Sequence, residues 1–330
     1  MTMGKSWLAC ASAVAVGAAL AAYLAHTRKR RRVITVFGAT GSQGGSVVRA
    51  LLARGGKYKV RACTRDASSK KAQALIDQGC EVVEASYQDY DSLVRAMAGA
   101  YGAWFITSFW DQPEKTTAAE IAVGQAVGAA AKQCGVKHLL FSSLESPAAM
   151  GAGFAFPTFD AKVGVEQALR YLRIPMTAVQ VAWYYNNLEN NNPNPHAGWY
   201  PWPRDESGAF ILEVPIGAAG LHGIHNEDVG EACAAIFDRP DVYIGGKVAL
   251  SGELLTGHTL VESFRRHFPD HTFKYVNTPI EEYLESSKAG GFGDALYCMY
   301  KWFGSSHHSP CRLSHSLHAV LRAHDERACM

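Results

Sequence analysis

The 330-residue chain predicts an α/β fold built on a doubly wound parallel sheet, and two observations carry that prediction. From Val33 to about Val181, apolar strand-like runs alternate with stretches of helical periodicity, the signature of βαβ units whose crossovers cover both faces of a parallel sheet. The first of those runs, Val33-Ile-Thr-Val-Phe37, passes straight into Gly38-Ala-Thr-Gly-Ser-Gln-Gly44 and then an amphipathic stretch. In that turn Gly38 permits the tight bend, Gly41 lets the backbone approach a pyrophosphate, and Gly44 lets the helix pack closely while its N-terminus faces negative charge. The expected architecture is a Rossmann-type dinucleotide-binding sheet with a smaller C-terminal α/β portion, preceded by one N-terminal hydrophobic helix.

Residues 1–32 form the first segment. The stretch 7–25 is uncharged and is followed by Arg28-Lys29-Arg30-Arg31-Arg32. At about 1.5 Å per helical residue it reaches about 28 Å, near the hydrocarbon thickness of a bilayer. The basic flank predicts that the domain beyond residue 32 stays on the cytoplasmic side, and it opposes translocation as a cleaved signal. The expectation is a single-helix anchor in the endoplasmic reticulum or outer mitochondrial membrane, with a soluble cytoplasmic protein as the alternative.

Residues 33–182 form the nucleotide-binding domain. Strands are expected at 33–38, 59–64, 81–85, 103–107, 138–142 and 177–182, with helices near 44–54, 68–78, 90–98, 116–134 and 160–172. Gly55 and Gly135 follow periodic stretches as helix stops, and Asp91 or Asp160 can cap N-termini. After Trp183 the alternation breaks into Asn190-Asn-Asn-Pro-Asn-Pro195 and Trp199-Tyr-Pro-Trp-Pro203, a loop that is either a ligand lid or a structural connection. Asp228 is expected to cap a following helix, and residues 183–303 form the smaller portion that closes the cleft. Residues 304–330 are a His-rich tail whose spacing matches no zinc ribbon or finger, so no metal is expected.

Composition narrows the function classes. The eight cysteines include no Cys-x-x-Cys pair, and there is no Asn-x-Ser/Thr acceptor, so a reducing compartment fits. Net charge is +2, with positive charge concentrated before residue 33, which gives no pull toward nucleic acid.

The second strand ends in Thr64-Arg65-Asp66, with Lys70 and Lys71 close behind. An acidic residue at that strand end would bond a free ribose 2′-hydroxyl, whereas a guanidinium forks onto a 2′-phosphate. Arg65 favours NADP(H) over NAD(H), against Asp66 one step later. Reduction by a short-chain dehydrogenase needs a tyrosine phenol four residues before a lysine, and a serine from the preceding strand end. Ser142, Ser143 and Lys162 are present, but Thr158 stands where the phenol belongs, and an aliphatic hydroxyl cannot be tuned toward neutral pH as a phenol can. Tyr184 and Tyr185 are the phenols that could reach the cleft from the other side.

The segments Phe37–Val47, Thr64-Arg65, Gly99–Thr107, Ser143-Leu-Glu145, Phe159-Asp-Ala-Lys162 and Tyr185-Asn-Asn-Leu188 together resemble the NmrA-like family of atypical short-chain dehydrogenases over about residues 33–303. The nearest likeness is to the animal NmrA-like domain proteins. That resemblance implies NADP(H) as cofactor, the absence of the catalytic tyrosine, and a role as redox sensor or regulator with a protein partner and a homodimer. It assigns the pyrophosphate to Gly38, Thr40, Gly41, Ser42, Gln43 and Gly44, the 2′-phosphate to Arg65 with Lys70 beside it, the nicotinamide side to Thr107 and the ribose region to Lys162. The family's acidic residue near the adenine is Ser86 here. The rival reading is an NADPH-dependent reductase of a quinone or carbonyl compound, with water or Lys162 supplying the proton.

Overall fold

The computed structural model describes residues 31–188, 203–213, 215–217, 219–287 and 293–305. Up to Val181 strands and helices alternate: β1 (Arg32–Val36), α1 (Ser42–Leu52), β2 (Tyr58–Thr64), α2 (Lys70–Asp77), β3 (Glu81–Glu84), α3 (Tyr90–Met97), β4 (Gly102–Phe105), α4 (Thr117–Gln133), β5 (His138–Ser143), α5 (Pro157–Tyr171) and β6 (Met176–Val181). These lie within about three residues of the expected bounds. Beyond them come β7 (Trp183–Tyr184), a 3-10 turn (Tyr185–Leu188), β8 (Phe210–Glu213), β9 (Leu221–Ile224), α6 (Asn226–Asp238), α7 (Pro240–Tyr243) and β10 (Lys247–Leu250). The chain continues through β11 (Glu253–Leu255), α8 (Gly257–His267), β12 (Phe273–Val276), α9 (Ile280–Ser287) and α10 (Gly293–Phe303).

The large sheet runs β10-β6-β5-β4-β1-β2-β3, and every pairing in it is parallel. Because β1 pairs with both β2 and β4, chain order reverses beside β1, and the carboxyl ends of the strands there open the crevice in which such sheets bind ligands. Successive strand residues point to opposite faces, and both faces are covered. Ile34, Val36, Trp104 and Leu140 join the core under α1 and α6, whereas Ala103, Phe105, Leu139 and Phe141 join the core under α3, α4 and α5. That double burial is why the strands read as continuous apolar runs.

The seventh strand lies outside the six that the alternating pattern predicts. β10 arrives from beyond the break in alternation and pairs along β6, Lys247 opposite Ala178 and Leu250 opposite Val181. Its feeder, α6, lies against α1 so closely that a Cβ on Gly230 would sit 2.4 Å from the Ser46 carbonyl oxygen. The smaller portion has its own core, with Trp183, Leu212, Leu221, Phe273 and Tyr300 packed together. Two small sheets carry it: β11-β9-β7 and β12-β8.

Gly55 and Gly135 do take left-handed φ, +60° and +65°, beyond α1 and α4. The expected caps need correction. Asp89 rather than Asp91 caps α3, accepting from the Ser92 N–H, since a cap must precede the first helical residue with extended backbone. Asp160 already lies inside α5 and accepts from the Phe156 N–H at its start, 2.8 Å away. His225, not Asp228, caps α6. The anchor read at residues 7–25, the asparagine-rich stretch 190–195 and the tail histidines all lie outside the described residues. Among the described residues no helix is long and apolar enough to cross a membrane, and no metal-binding cluster occurs.

Candidate functional site

The glycine turn has the shape its sequence implies. Gly38 stands at φ +63°, a region that glycine enters without steric cost, and its carbonyl accepts from the Gly41 N–H at 2.9 Å. A Cβ on Gly44 would lie 2.2 Å from that same carbonyl oxygen. No side chain can stand between α1 and the turn. Side chains cap α2, α3, α4, α6 and α8, but α1 has no side-chain cap over its N-cap residue Gly41. The N–H groups of its first turn have no partner within the helix and meet the requirement of a phosphate. Thr40 is half-buried at the rim, and the Ser42 hydroxyl accepts from Asn226 Nδ2.

Arg65 is exposed past the end of β2 and makes no hydrogen bond or ion pair among the described residues. Asp66 is engaged locally: its carboxylate accepts from the Ser68 N–H at 2.8 Å and from the Ser68 hydroxyl at 2.6 Å. Those bonds hold its pKa below the usual carboxylate range and turn it into its own loop. Lys70 is exposed in the first turn of α2. Ser86 also serves its own turn, donating to Gln88 Oε1 at 2.7 Å.

Thr107 and Lys162 come together, with a third member that sequence reasoning missed. Lys162 Nζ donates to the Thr107 carbonyl and, at 2.9 Å, to the Thr107 hydroxyl. It forms an ion pair with Glu120 Oε1 on α4, also at 2.9 Å, and the Glu120 side chain is fully buried. Thr107 donates its own hydroxyl to Glu120. The ammonium has three protons, and all three are accounted for. Burial pulls the Lys162 ammonium toward losing its proton while Glu120 opposes that. Glu120 Oε1 takes the contacts from both Lys162 and Thr107, so one carboxylate oxygen ties the two residues together. Ser143 is also turned inward, donating to Glu166 of α5 at 3.1 Å, not to the cleft.

A cavity of about 210 Å³ opens beyond the carboxyl ends of β5, β6 and β10. Leu144, Glu145, Val181 and Leu250 form its base at those strand ends. Trp183 and Tyr184 of β7 and His222 of β9 form a side wall, and Met299, Trp302 and Phe303 of α10 close it. His222 Nδ1 shares a hydrogen bond with the Ser251 hydroxyl at 2.8 Å. Tyr184 is the link between the cavity and the glycine turn, since its hydroxyl accepts from Gln43 Nε2. Burial pushes the pKa of that phenol up, so it keeps its proton. Tyr185 takes the other direction, its ring packing against Gly223 of β9. Of the two tyrosines singled out from sequence, only Tyr184 lines the cavity. Glu145 and His222 join the site without having been expected there.

The comparisons agree with this architecture. Residues 30–322 match the NmrA-like family. The NmrA-like family domain-containing oxidoreductase FrzB of Cladobotryum sp is 32% identical over 71% of this chain and 73% of its own length. Among solved structures, NmrA, a negative transcriptional regulator, in complex with NADP superposes with TM-score 0.67 at 24% identity, covering 86% of this chain and 85% of that one. The Citrobacter sp. triphenylmethane reductase complexed with NADP(H) does so with TM-score 0.67 at 22% identity, over 88% and 94%. With the strand order, the uncapped glycine turn and this match along nearly its whole length, the chain belongs to the NmrA-like family.

Proposed function

We propose that the chain is an NADP(H)-binding reductase whose acceptor is a flat, largely apolar ring compound. The cavity carries this reading. An apolar cavity of about 150 Å³ takes benzene, so one of about 210 Å³ has room for one or two fused rings. It stands beside the switch point, against the strands over which the nicotinamide half of a dinucleotide lies. FrzB carries the name oxidoreductase, and triphenylmethane reductase acts with the same cofactor on a ring-rich compound.

The residues fit the cofactor. The turn from Gly38 to Gly44 has the cradle that a diphosphate needs, with Thr40, Ser42 and Gln43 at its edge. Arg65 and Lys70 offer the 2′-phosphate two cations that no described carboxylate neutralises. Thr107 and Lys162, held together by Glu120, fix the end of β4 against which the ribose and nicotinamide would rest. When bound, NADPH supplies a hydride. The chain itself orients the acceptor between Trp183, Tyr184 and α10 and keeps water from it, so that catalysis rests on positioning. The segment 7–25 would tether this reductase to a membrane facing the cytoplasm, on sequence alone.

A second reading, a redox sensor without turnover, is favoured by Thr158 in place of the phenol and by the inward engagement of Lys162. The two separate in one assay. NADPH consumption by the full-length protein is followed with 1,4-naphthoquinone, an aromatic aldehyde and a cyclic iminium salt. Sustained consumption that is lost when Trp302→Ala opens the cavity supports the reductase. Tight NADPH binding with no consumption of any acceptor overturns it in favour of the sensor.

A further inference from the structure

A carbonyl that takes a hydride becomes an alkoxide and must be given a proton, the task of the phenol that Thr158 replaces. Lys162 is poorly placed to give it, since its three protons go to the Thr107 carbonyl, the Thr107 hydroxyl and Glu120. Tyr184 is placed differently. Its ring stands in the cavity wall, and its hydroxyl oxygen accepts from Gln43 Nε2. A phenol has one proton of its own to donate, and among the described residues no hydrogen bond takes it. Burial holds the pKa of this phenol above its ordinary value, so the proton is in place at neutral pH. Pairing of β7 with β9, Tyr184 opposite Ile224, fixes the backbone that carries the ring. Gln43, in the first turn of α1, ties the hydroxyl to the turn that cradles the diphosphate.

Resting on the reductase reading above, we infer that Tyr184 is the catalytic acid of this site, giving its phenolic proton to the carbonyl oxygen of a neutral ring-bearing aldehyde or ketone while Gln43 holds its hydroxyl. The carbonyl carbon accepts a hydride from NADPH and a C–H bond forms. The carbon–oxygen π pair moves onto oxygen, which takes the Tyr184 proton and becomes a hydroxyl. The products are an alcohol, NADP+ and the Tyr184 phenolate, which then takes a proton from water. An alkoxide is a far stronger base than a phenolate, so the transfer runs downhill even from a phenol that burial keeps protonated. The Gln43 N–H already points at the oxygen on which the negative charge is left, and such a bond strengthens when its acceptor is charged. The same burial that keeps the proton in place returns it after each turnover.

The test sets 1-tetralone, whose reduction passes through an alkoxide, beside 1,4-naphthoquinone, a two-ring acceptor whose hydride adduct is a weakly basic hydroquinone anion that needs no acid. With full-length protein, Tyr184→Phe should lower kcat for 1-tetralone by about 100-fold or more. It should leave KM, and kcat for the quinone, within about threefold of the parent, because the ring that packs the wall is kept. The parent protein gives a second measurement that needs no substitution: in D2O the reduction of 1-tetralone should slow about twofold while that of the quinone does not. Equal losses for the two acceptors in Tyr184→Phe would make the residue structural and overturn the inference. So would unchanged reduction of 1-tetralone, a loss that appears in His222→Gln and not in Tyr184→Phe, or turnover of the quinone with 1-tetralone ignored, and each of these leaves the reductase reading standing. If neither acceptor consumes NADPH, the reductase reading fails and the acid falls with it.

Discussion

The cofactor cradle and the acceptor cavity are assembled in opposite ways. Gly38 to Gly44 are a short contiguous stretch, with Arg65 just past the next strand, and their geometry follows from local rules: a left-handed glycine, an uncapped helix start, a cation at a strand end. The cavity draws Glu145, Tyr184, His222, Leu250 and Trp302 from five separate elements or their flanks. One region is written in a single segment; the other exists only once the whole chain has folded. Cofactor chemistry can therefore be read from residue order, while acceptor chemistry needs coordinates.

The sharpest way to break this contrast is at the point where the cradle also depends on distant residues. Removing one partner of a buried ion pair leaves an uncompensated charge and costs about 3–5 kcal/mol. Glu120→Ala should therefore lower stability by roughly that amount in urea unfolding. Unchanged unfolding would mean that Lys162 finds another partner and that the pair does not hold the end of β4. Next in size is Arg65→Ala, expected to weaken NADPH by about 100-fold, or about 2.7 kcal/mol, with little effect on NADH. Equal losses for the two cofactors would remove Arg65 from the 2′-phosphate. The smallest effect tests the Tyr184–Gln43 bridge between the regions. Tyr184→Phe deletes the hydroxyl that accepts from Gln43 and should cost about 1 kcal/mol of stability. It should also shift NADPH affinity by less than about threefold. A tenfold loss of NADPH binding would show cradle and cavity to be one unit.

Legibility divides along the same line. The six strands of the alternating half, the glycine turn and the helix stops at Gly55 and Gly135 can be read, because each depends on neighbours within a few residues. β10 cannot, since Lys247–Leu250 is four residues long and acquires meaning only against β6. Glu120 does leave a signal in the sequence: it is the lone acid in the Ala-, Gly- and Val-rich stretch of α4, where a charge demands a buried partner. The cap of α3 lies two residues from its expected place because Asp89 and Asp91 stand together and only backbone geometry chooses between them, and that of α6 lies three residues away because a histidine, His225, takes the place expected of Asp228.

The late arrival of β10 bears on how the polypeptide must be made. Until residues 247–250 leave the ribosome, the outer border of β6 presents unpaired amide and carbonyl groups, a template onto which a neighbouring nascent chain could add. Some sixty residues separate the two strands in the sequence, so translation leaves that border open for several seconds at ordinary elongation speeds, roughly 5–20 residues per second. Pausing within that stretch would prolong the hazard, and a chaperone that shields the border would shorten it.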